Sequence, residues 1–318
     1  MTASGGMMWG EHSTLNRALR TRPVESAVDL SIDLPEPLHT IAEHVASEIR
    51  SALKNGGGRV GVAYSGGVDS SVLAALVARA VGRDHTLLLL GESASLARRE
   101  HAFAMRQATQ LGLRVVMVET HELNDQDYVA NSVNRCYFCK DELFTRIDES
   151  VARRHQLAVV AYGENADDSR RPDRPGGRAA REHRVLYPLA LAGATKSDVR
   201  ALAREFNLVS ANKPAAPCLA SRIPHGEPVT AEKLRAVDEA EDAVLQAGFS
   251  DCRVRHHGAI ARIEVPSEEF ELILDETRRH DLIAAVKAAG FTHVTLDMNG
   301  IQSGAFTLSI LNSGARRG

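Results

Sequence analysis

The sequence is poor in the features that mark secreted and membrane proteins. Four cysteines in 318 residues are too few for a disulfide scaffold. No stretch reaches the roughly 18 consecutive apolar residues of a membrane-spanning helix, and residues 1–30 contain no apolar signal segment. We therefore expect a cytoplasmic protein with no membrane partner.

An excess of charge of either sign is also missing. The formal net charge is −3, so the chain lacks the strongly basic character of proteins that bind large nucleic acids. Its 44% hydrophobic and 25% charged residues are typical of a globular protein. Because single cores usually stop growing at about 250–300 residues, this length predicts one large domain and one smaller domain.

Strand and helix patterns alternate over residues 35–227. Four short apolar runs have the strand pattern and are followed by helical periodicity: "RVGVAY", "HTLLLLG", "LRVVMVE" and "LAVVAYG". This alternation predicts an α/β fold with a doubly wound parallel sheet that helices cover on both faces. Residues 1–34 show no sustained periodicity, and we interpret them as a flexible N-terminal extension.

The pattern changes after about residue 228. Thr230 precedes an amphipathic helix that runs to Gly248, and "CRVRHHGAIARIEV" alternates like two antiparallel strands around a His-Gly turn. Ser267 starts a further helix, and "HVTLDM" is a final strand. We predict a small α+β domain over residues 228–318.

The hexapeptide "SGGVDS" connects the first predicted strand to its helix. It lies at the carboxyl edge of the sheet, where ligands bind in folds of this kind. Glycines let the backbone approach an anion closely, and the helix that follows offers free N–H groups at the positive end of its dipole. The loop lacks the GK[ST] of a Walker A motif and is not GxGxxG. We predict a phosphate site made by Ser65, Gly66, Gly67, Asp69 and Ser70; the alternative is a tight Gly-Gly turn that binds nothing.

Cys136 and Cys139 form a CxxC pair in the segment "NRCYFCK". In a reducing compartment such a pair indicates metal binding or redox chemistry. The two residues open a predicted helix. We expect its N-terminal N–H groups, together with Arg135 and Lys140, to lower the pKa of both thiols.

Cys218 is the third candidate ligand. It lies in "KPAAPCLASRIPHG", whose prolines forbid regular structure, at the boundary between the predicted domains. Three thiolates leave a metal ion or cluster one ligand short, which suits a catalytic centre. The alternatives are a zinc knuckle or unrelated buried thiols. We expect Cys252, on a strand of the small domain, to be buried and inert.

Several motifs in a fixed order resemble one family. The SGGxDS loop resembles the pyrophosphate loop of the PP-loop ATPases. Over residues 38–304 the chain resembles the LarE family, ATP-dependent sulfur transferases that build the nickel-pincer nucleotide cofactor of lactate racemase. The resemblance rests on "VAYSGGVDSSVL", "RCYFCKDELF", "ENADD" with "RPGGRAA", "KPAAPCLASRIPHG", "RVRHHGAIARIEV" and "VTLDMNGIQSG".

The resemblance implies a reaction. ATP adenylates a carboxylate of pyridinium-3,5-biscarboxylic acid mononucleotide, pyrophosphate leaves, and sulfur displaces AMP to give a thiocarboxylate. Asp69 would help to bind the Mg²⁺ that accompanies ATP, and the loop would hold the β and γ phosphates.

The resemblance also implies a sulfur carrier. Members with a single cysteine, at the position of Cys218, give up its sulfur and keep dehydroalanine. Members with three cysteines, at the positions of Cys136, Cys139 and Cys218, are thought to carry an extra sulfide on the unligated iron of a [4Fe-4S] cluster. This sequence has all three, so we favour the cluster.

Charged residues supply the remaining candidates. Arg222, and Arg253 with Arg255 on one strand face, are candidate clamps for a substrate phosphate or carboxylate. The resemblance places Arg253, Arg255 and Glu241 near a phosphate or metal site in the small domain. The alternative for each is a surface salt bridge.

Two further pairs have a less specific pattern. We interpret His256 and His257 as turn residues and not as ligands. Asp167 and Asp168 either contact Mg²⁺ or solvate a loop.

Family members form hexamers, so the resemblance implies a homo-oligomer, with a small nucleotide as substrate and a separate sulfide donor. The sequence departs from the family at "GIQSGAF", where Ile301 and Gln302 replace an aromatic residue and an arginine, and at "SRRPD", which lacks an aromatic residue. Three alternatives stay open: a PP-loop tRNA thiolase, an ATP-dependent amidotransferase with incidental cysteines, and a non-catalytic module that senses nucleotide.

Overall fold

The computed structural model of the protein describes residues 27–53, 57–169 and 175–301. The predictions made for residues 1–26, for most of "SRRPD" and for Gln302 lie outside these residues. Among the helices that the structure describes, none combines the length and the apolar character that a bilayer crossing requires.

A four-stranded parallel sheet forms the centre of the larger part. Its strands run in the spatial order β3-β2-β1-β4: β1 (Arg59–Tyr64), β2 (Thr86–Glu92), β3 (Arg114–Glu119) and β4 (Leu157–Tyr162). Leu186 extends the β4 edge through backbone hydrogen bonds with Val160 and Tyr162. The predicted α/β fold with a parallel sheet is confirmed.

Helices connect the strands and cover the sheet. In chain order they are α1 (Leu38–Ala52), α2 (Val68–Val81), α3 (Arg98–Leu111), α4 (Gln126–Val129), α5 (Arg135–Arg146), α6 (Ala152–His155), α7 (Ala166–Ser169), α8 (Pro175–Glu182), α9 (Pro188–Leu191) and α10 (Lys196–Glu205). A π-helical turn, Ile147–Val151, joins α5 to α6.

Local sequence explains the ends of several helices. The Thr195 and Asp198 side chains each accept a hydrogen bond from the other's backbone N–H, which forms a capping box at the start of α10. Gly112 ends α3 with a left-handed φ of 66°, a conformation that favours glycine. These local capping interactions determine where α10 begins and where α3 ends.

Residues 27–34 do not behave as the predicted extension. Leu30 and Leu34 are buried in the core beneath the helices. The Arg79 guanidinium donates to the carbonyls of Leu30 and Ile32, at 2.5 and 2.7 Å. The prediction of a flexible extension up to residue 34 is therefore wrong for this stretch, where Val28, Leu30, Ile32 and Leu34 alternate with polar residues over a length too short to stand out.

The C-terminal part contains a second sheet. Strands β5 (Arg253–His257) and β6 (Ile260–Glu264) form an antiparallel hairpin, and β7 (His293–Leu296) pairs parallel with β6. Helices α11 (Ala231–Gln246) and α12 (Glu276–Ala288) accompany them. Thr230 caps α11 as predicted. Ser267 begins a 3-10 segment (Ser267–Leu274) and not an α-helix.

The hydrophobic core of the C-terminal part reaches across the predicted boundary at residue 228. Leu219 and Ala220 pack against Val237 and Val254, and Tyr128 belongs to the same cluster. The loop that carries Cys218 is thus anchored on both parts of the protein. The division into domains at residues 34 and 227 stays a prediction.

Candidate active site

The glycine loop has a conformation that requires glycine at Gly66. Its φ is +71°, in the left-handed region. A Cβ atom there would lie 2.7 Å from the Cα of Ala104 in α3. The loop is therefore pressed against α3 at a position that no side chain can occupy.

Hydrogen bonds of the Ser70 hydroxyl link residues within the glycine loop. Ser70 Oγ donates to the carbonyl of Gly67 at 3.1 Å and accepts from the backbone N–H of Ser65 at 3.3 Å. Gly67 is the N-cap of α2, so the first N–H groups of this 14-residue helix have no intrahelical partner. The arrangement presents amide donors and a positive helix end to an anion.

Gly163 contacts the glycine loop, and this contact was not predicted from the sequence. It follows β4, and a Cβ atom on it would lie 2.8 Å from the backbone nitrogen of Ser70 and 2.9 Å from the carbonyl carbon of Asp69. The end of β4 therefore packs directly on the first turn of α2. The glycine after a buried strand in "AYGEN" was the available signal.

Asp69 lies in a network of polar side chains. Its Oδ1 accepts from Asn165 Nδ2 at 3.0 Å, and its Oδ2 accepts from Lys196 Nζ at 2.5 Å. Asp167 accepts from the backbone N–H of Lys196 at 2.8 Å, and Asp168 accepts from Asn165 at 2.9 Å. The acidic pair thus lies beside the glycine loop, and its carboxylates are the kind of ligand that Mg²⁺ takes.

Asn165 and Lys196 were not predicted as site residues. Asn165 lies two positions before Asp167, and Lys196 is the first residue of α10. Both reach Asp69 from elements that are about 100 residues or more away along the chain, with separations of 96 and 127. No local pattern reports such contacts.

The CxxC pair lies in the first turns of α5, as predicted. Cys136 is exposed and Cys139 is half-buried. Cys218 is exposed and starts the 3-10 turn Leu219–Arg222.

Asn131 joins the segment before the CxxC helix to the loop after Cys218. This buried residue has a left-handed φ of 54°. Its Nδ2 donates to the carbonyls of Ile223, Pro224 and Glu227, at 3.3, 2.8 and 2.9 Å. Arg135 adds a bond from Nη1 to the carbonyl of Ala220 at 2.9 Å. The structure thus ties the Cys218 loop to the start of α5.

The Cys218 loop also lies at the carboxyl edge of the sheet. The backbone N–H of Leu219 donates to the carbonyl of Ser95, which follows β2, at 2.9 Å. The glycine loop follows β1, and parallel neighbours end at the same edge of a sheet. The predicted phosphate site and the predicted sulfur site therefore open at one edge.

The prediction that the thiol pKa values are lowered is wrong. Burial raises the pKa of Cys136 above its ordinary value, and the neighbouring Cys218 raises it further. Arg135 and Lys140 lower it without offsetting these effects. Burial and Cys218 likewise raise the pKa of Cys139. The cause is that the surrounding protein atoms desolvate both thiolates and that the Cys218 thiolate repels them.

The three thiols do not surround a single metal ion. Within residues 27–53, 57–169 and 175–301, no three Cys, His, Asp or Glu side chains are arranged to hold one ion. The three thiols still share one electrostatic environment, because Cys218 raises the pKa of both others. Thiolates are the donors that iron–sulfur clusters take, and binding of a four-iron cluster by these three cysteines stays a prediction.

The candidate clamps are buried ion pairs and not surface salt bridges. Arg222 is 1% exposed and binds both carboxylate oxygens of Glu241, at 2.8 and 3.2 Å. Glu241 also accepts from Arg99 and from the backbone N–H of Val254. A buried charge needs such partners.

Arg253 and Arg255 are also enclosed. Arg253 donates to Asp251 at 2.6 Å and to the carbonyl of Ala215 at 3.0 Å. Arg255 binds both oxygens of the buried Glu264, at 3.0 and 2.8 Å. Binding of substrate phosphate by these arginines and Glu241 stays a prediction.

The predictions of an inert, buried Cys252 and of turn positions for His256 and His257 agree with the structure in part. Cys252 is fully buried, and burial raises its thiol pKa well above the ordinary value. His257 flanks the turn at Gly258, whose φ is +61°, whereas His256 is a buried strand residue that packs on Phe291.

Comparison with known proteins places this site in a family. No family model matches the chain. The chain is 38% identical to an uncharacterised protein from Synechocystis over 243 residues, which are 76% of this chain and 90% of that protein. It is 32% identical to the pyridinium-3,5-bisthiocarboxylic acid mononucleotide synthase of Lactiplantibacillus plantarum over 249 residues, 77% of this chain and 88% of the synthase. The chain belongs to the LarE family.

A more distant relative agrees with the fold of this LarE-family chain. The tRNA-specific 2-thiouridylase of Azorhizobium caulinodans is 30% identical in an alignment that covers 74% of this chain and 73% of that enzyme. The parallel sheet and the glycine loop at its carboxyl edge are those expected for a PP-loop enzyme. The family resemblance carried by the sequence motifs is confirmed.

Proposed function

We propose that the protein is an ATP-dependent sulfur transferase. It adenylates the carboxylates of pyridinium-3,5-biscarboxylic acid mononucleotide and replaces AMP with sulfur. One observation carries the proposal: the glycine loop follows β1, the Cys218 loop is hydrogen-bonded through Leu219 to Ser95 after β2, and these two neighbouring parallel strands end at the same edge of the sheet. The similarity to the synthase supports the choice of substrate.

In the first half-reaction the glycine loop and the N-terminus of α2 bind the β and γ phosphates of ATP. Asp69 would hold the accompanying Mg²⁺, and Lys196, now paired with Asp69, lies ready to neutralise phosphate charge. A carboxylate oxygen of the substrate attacks the α-phosphorus, and the bond to the bridging oxygen breaks. Pyrophosphate leaves with the electron pair, and an acyl adenylate remains.

In the second half-reaction a sulfur nucleophile attacks the acyl carbon, and the bond to the AMP oxygen breaks. Adenylation is needed because a carboxylate oxygen is otherwise a poor leaving group. Cys136, Cys139 and Cys218 would hold a [4Fe-4S] cluster, which when bound would supply an inorganic sulfide for this step. The sequence is repeated on the second carboxylate.

The proposal includes a sulfide donor that restores the sulfur, a small nucleotide as the substrate, and a homo-oligomer, hexameric by family resemblance. The net charge of −3 speaks against a large nucleic acid partner. A tRNA thiolase remains the second candidate, because the 2-thiouridylase similarity favours it.

The test combines two measurements on anaerobically purified protein. We expect pyrophosphate release that depends on the pyridinium nucleotide, and a product that gains the mass of sulfur in place of oxygen. Cys218→Ala should still release pyrophosphate but form no thiocarboxylate. Thiocarboxylate formation by that variant would exclude the assigned carrier.

The same preparation separates the alternatives. Iron and acid-labile sulfide with unchanged protein mass after turnover support the cluster, whereas loss of the mass of hydrogen sulfide supports the sacrificial route. Sulfur transfer to tRNA and none to the pyridinium nucleotide would support the thiolase. Full enzymatic activity of a variant in which Cys136, Cys139 and Cys218 are all changed to alanine would support the ATP-dependent amidotransferase.

A further inference from the structure

The parallel sheet has one edge that no described residue pairs with. β3 ends the spatial order β3-β2-β1-β4, and among the described residues only β2 is hydrogen-bonded to it as a strand. The opposite edge differs, because Leu186 makes backbone hydrogen bonds with Val160 and Tyr162 of β4. An edge strand presents a row of N–H and C=O groups to whatever lies beside it. β3 therefore offers the hydrogen bonds that an added strand would use.

A groove of about 480 Å³ runs along β3. All six residues of the strand, Arg114–Glu119, line it together with residues of α5, the π-helical turn and α6, among them Arg146, Ser150 and Arg154. Met117, in the middle of the strand, is 37% exposed. Six strand residues span about 20 Å, at about 3.3 Å per residue. The groove beside β3, which we call the β3 groove, thus has the length of a six-residue extended segment.

The β3 groove collects positive charge. Arg114 and Arg154 are exposed, and neither forms an ion pair with a carboxylate in the described part of the chain. Arg146 is paired with Glu142 at 2.8 Å. Glu119 is the acidic residue among those that line the groove. Because the whole chain has a net charge of −3, this excess of cations does not follow from the composition.

The arginines lie close together although they come from different elements. His155 also lines the groove, and burial lowers the pKa of its imidazole. The positive charges of Arg154, Arg114 and Arg59 lower that pKa further. Arg59 Nη1 also donates to the carbonyl of His155 at 3.4 Å. Since these arginines belong to α6, β3 and β1, it is the fold that concentrates them at one place.

We propose that β3 is a docking site for an extended acidic segment of a partner protein, which adds to the sheet as a further strand. Backbone hydrogen bonds to β3 hold the segment, as in other cases where a peptide extends a sheet. Its carboxylates face Arg114 and Arg154, and an apolar side chain covers Met117. This interaction goes beyond the proposed sulfur transfer and does not depend on it.

The charge of the groove selects against the other occupants. Residues 1–26 contain three arginines and two glutamates, and residues 302–318 contain two arginines and no acidic residue. Neither end of this chain complements a groove that is itself basic. A nucleic acid has the required negative charge, but it has no amide groups at strand spacing to pair with β3. An acidic peptide supplies both the charge and the backbone hydrogen bonds.

The test uses the full chain and a fluorescein-labelled peptide of three Glu-Val repeats, with a peptide of three Lys-Val repeats as the control probe. Fluorescence anisotropy measures binding, and amide hydrogen exchange shows where the peptide binds. The test variant carries Arg114→Glu and Arg154→Glu together, and Arg154→Glu alone is used if the double variant does not fold. Arg153→Glu is the matched control, because Arg153 is exposed on the same helix but does not line the groove.

We expect the Glu-Val peptide to bind and to protect those amides of Arg114–Glu119 that do not bond to β2. In the double variant the binding should be about tenfold weaker or more, as the loss of charge-assisted contacts predicts. Added salt should weaken binding to the wild type as well. Arg153→Glu should bind the peptide like the wild type.

Absence of binding by the Glu-Val peptide would overturn the proposal. That result is expected if the arginines only keep edge strands of different molecules apart. Equal binding of the Lys-Val peptide, or equal weakening in Arg153→Glu, would overturn it too. Protection of every β3 amide before peptide is added would show that another part of this chain covers the edge. Tighter binding of a fluorescein-labelled oligouridylate, lost in the double variant, would assign the groove to nucleic acid instead.

Discussion

Arg222 and Glu241 form an ion pair in the interior, with both oxygens of the carboxylate engaged and neither side chain more than 1% exposed. The same guanidinium donates to the carbonyls of Pro217 and Cys218, at 2.6 and 3.2 Å. The conformation of the Cys218 loop is therefore set by a buried charge pair. Glu241, in the C-terminal part of the protein, thus holds the Cys218 loop in place through Arg222.

Removing Glu241 should destabilise the protein strongly. Glu241→Gln leaves Arg222 and Arg99 without their counter-charge in the interior, and breaking a buried pair costs about 3–5 kcal/mol. Chemical denaturation measures the free energy of unfolding. Asp242→Asn is the control: its partner Arg98 is largely exposed, so the loss should stay below about 1 kcal/mol. Similar losses in both variants would contradict the role of Glu241.

Gly66→Ala should abolish nucleotide binding as well as lower stability. The new Cβ meets the backbone of Ala104, which cannot move without shifting α3. Gly82→Ala separates this contact from backbone strain. Gly82 also has a positive φ, of 90°, but a Cβ there meets nothing within 4 Å. We expect Gly82→Ala to cost about 1–2 kcal/mol and to bind ATP, as measured by calorimetry. Normal ATP binding by Gly66→Ala would refute the assigned loop.

Asp69→Asn should abolish pyrophosphate release. The amide removes the charge that a Mg²⁺ ligand supplies and that Lys196 now neutralises. Lys196→Met should retain measurable pyrophosphate release at saturating ATP and raise the KM for ATP, because in the proposed mechanism the lysine would neutralise phosphate charge without binding the metal. Asp198→Asn, in the cap of the same helix, controls for damage to α10. Unchanged pyrophosphate release by Asp69→Asn would contradict the metal-binding role of Asp69.

The thiol of Cys136 should react slowly at neutral pH, although its side chain is exposed. Its pKa lies above the ordinary value of 9.0 because of burial and Cys218, and only the thiolate is nucleophilic. We expect alkylation by iodoacetamide at pH 7 to be slower in the folded protein than in urea, and the rate to keep rising above pH 9. Peptide mass spectrometry identifies the site. A faster rate in the folded protein would show a lowered pKa.

Raised thiol pKa values also affect metal loading. A metal must displace the proton of each thiol that it binds, so loading should improve as pH rises and should release protons.

Elements defined by short-range chemistry could be predicted from the sequence. The "SGGVDS" loop, the capping box of Thr195 and the hairpin at Gly258 each depend on residues within a few positions of one another. Their conformation follows from glycine and hydroxyl chemistry before any tertiary contact forms.

Roles that depend on distant contacts could not be predicted. Arg222 has the sequence pattern of a free clamp, yet a carboxylate 19 residues away encloses it. Lys196 lies 127 positions after Asp69, and only folding brings the two side chains together. Burial also reversed the expected thiol pKa shifts, because a helix N-terminus and two cations can be read from the sequence while the desolvation cannot.

The contacts of Asn131 have a consequence for biosynthesis. Its side chain binds three carbonyls that lie 92 to 96 positions further along the chain. Cys218 follows Cys139 by 79 positions, so the CxxC pair is synthesised before the third thiol. A cluster bound by all three thiols, as proposed, would assemble only after Cys218 has been made and its loop has packed against Asn131.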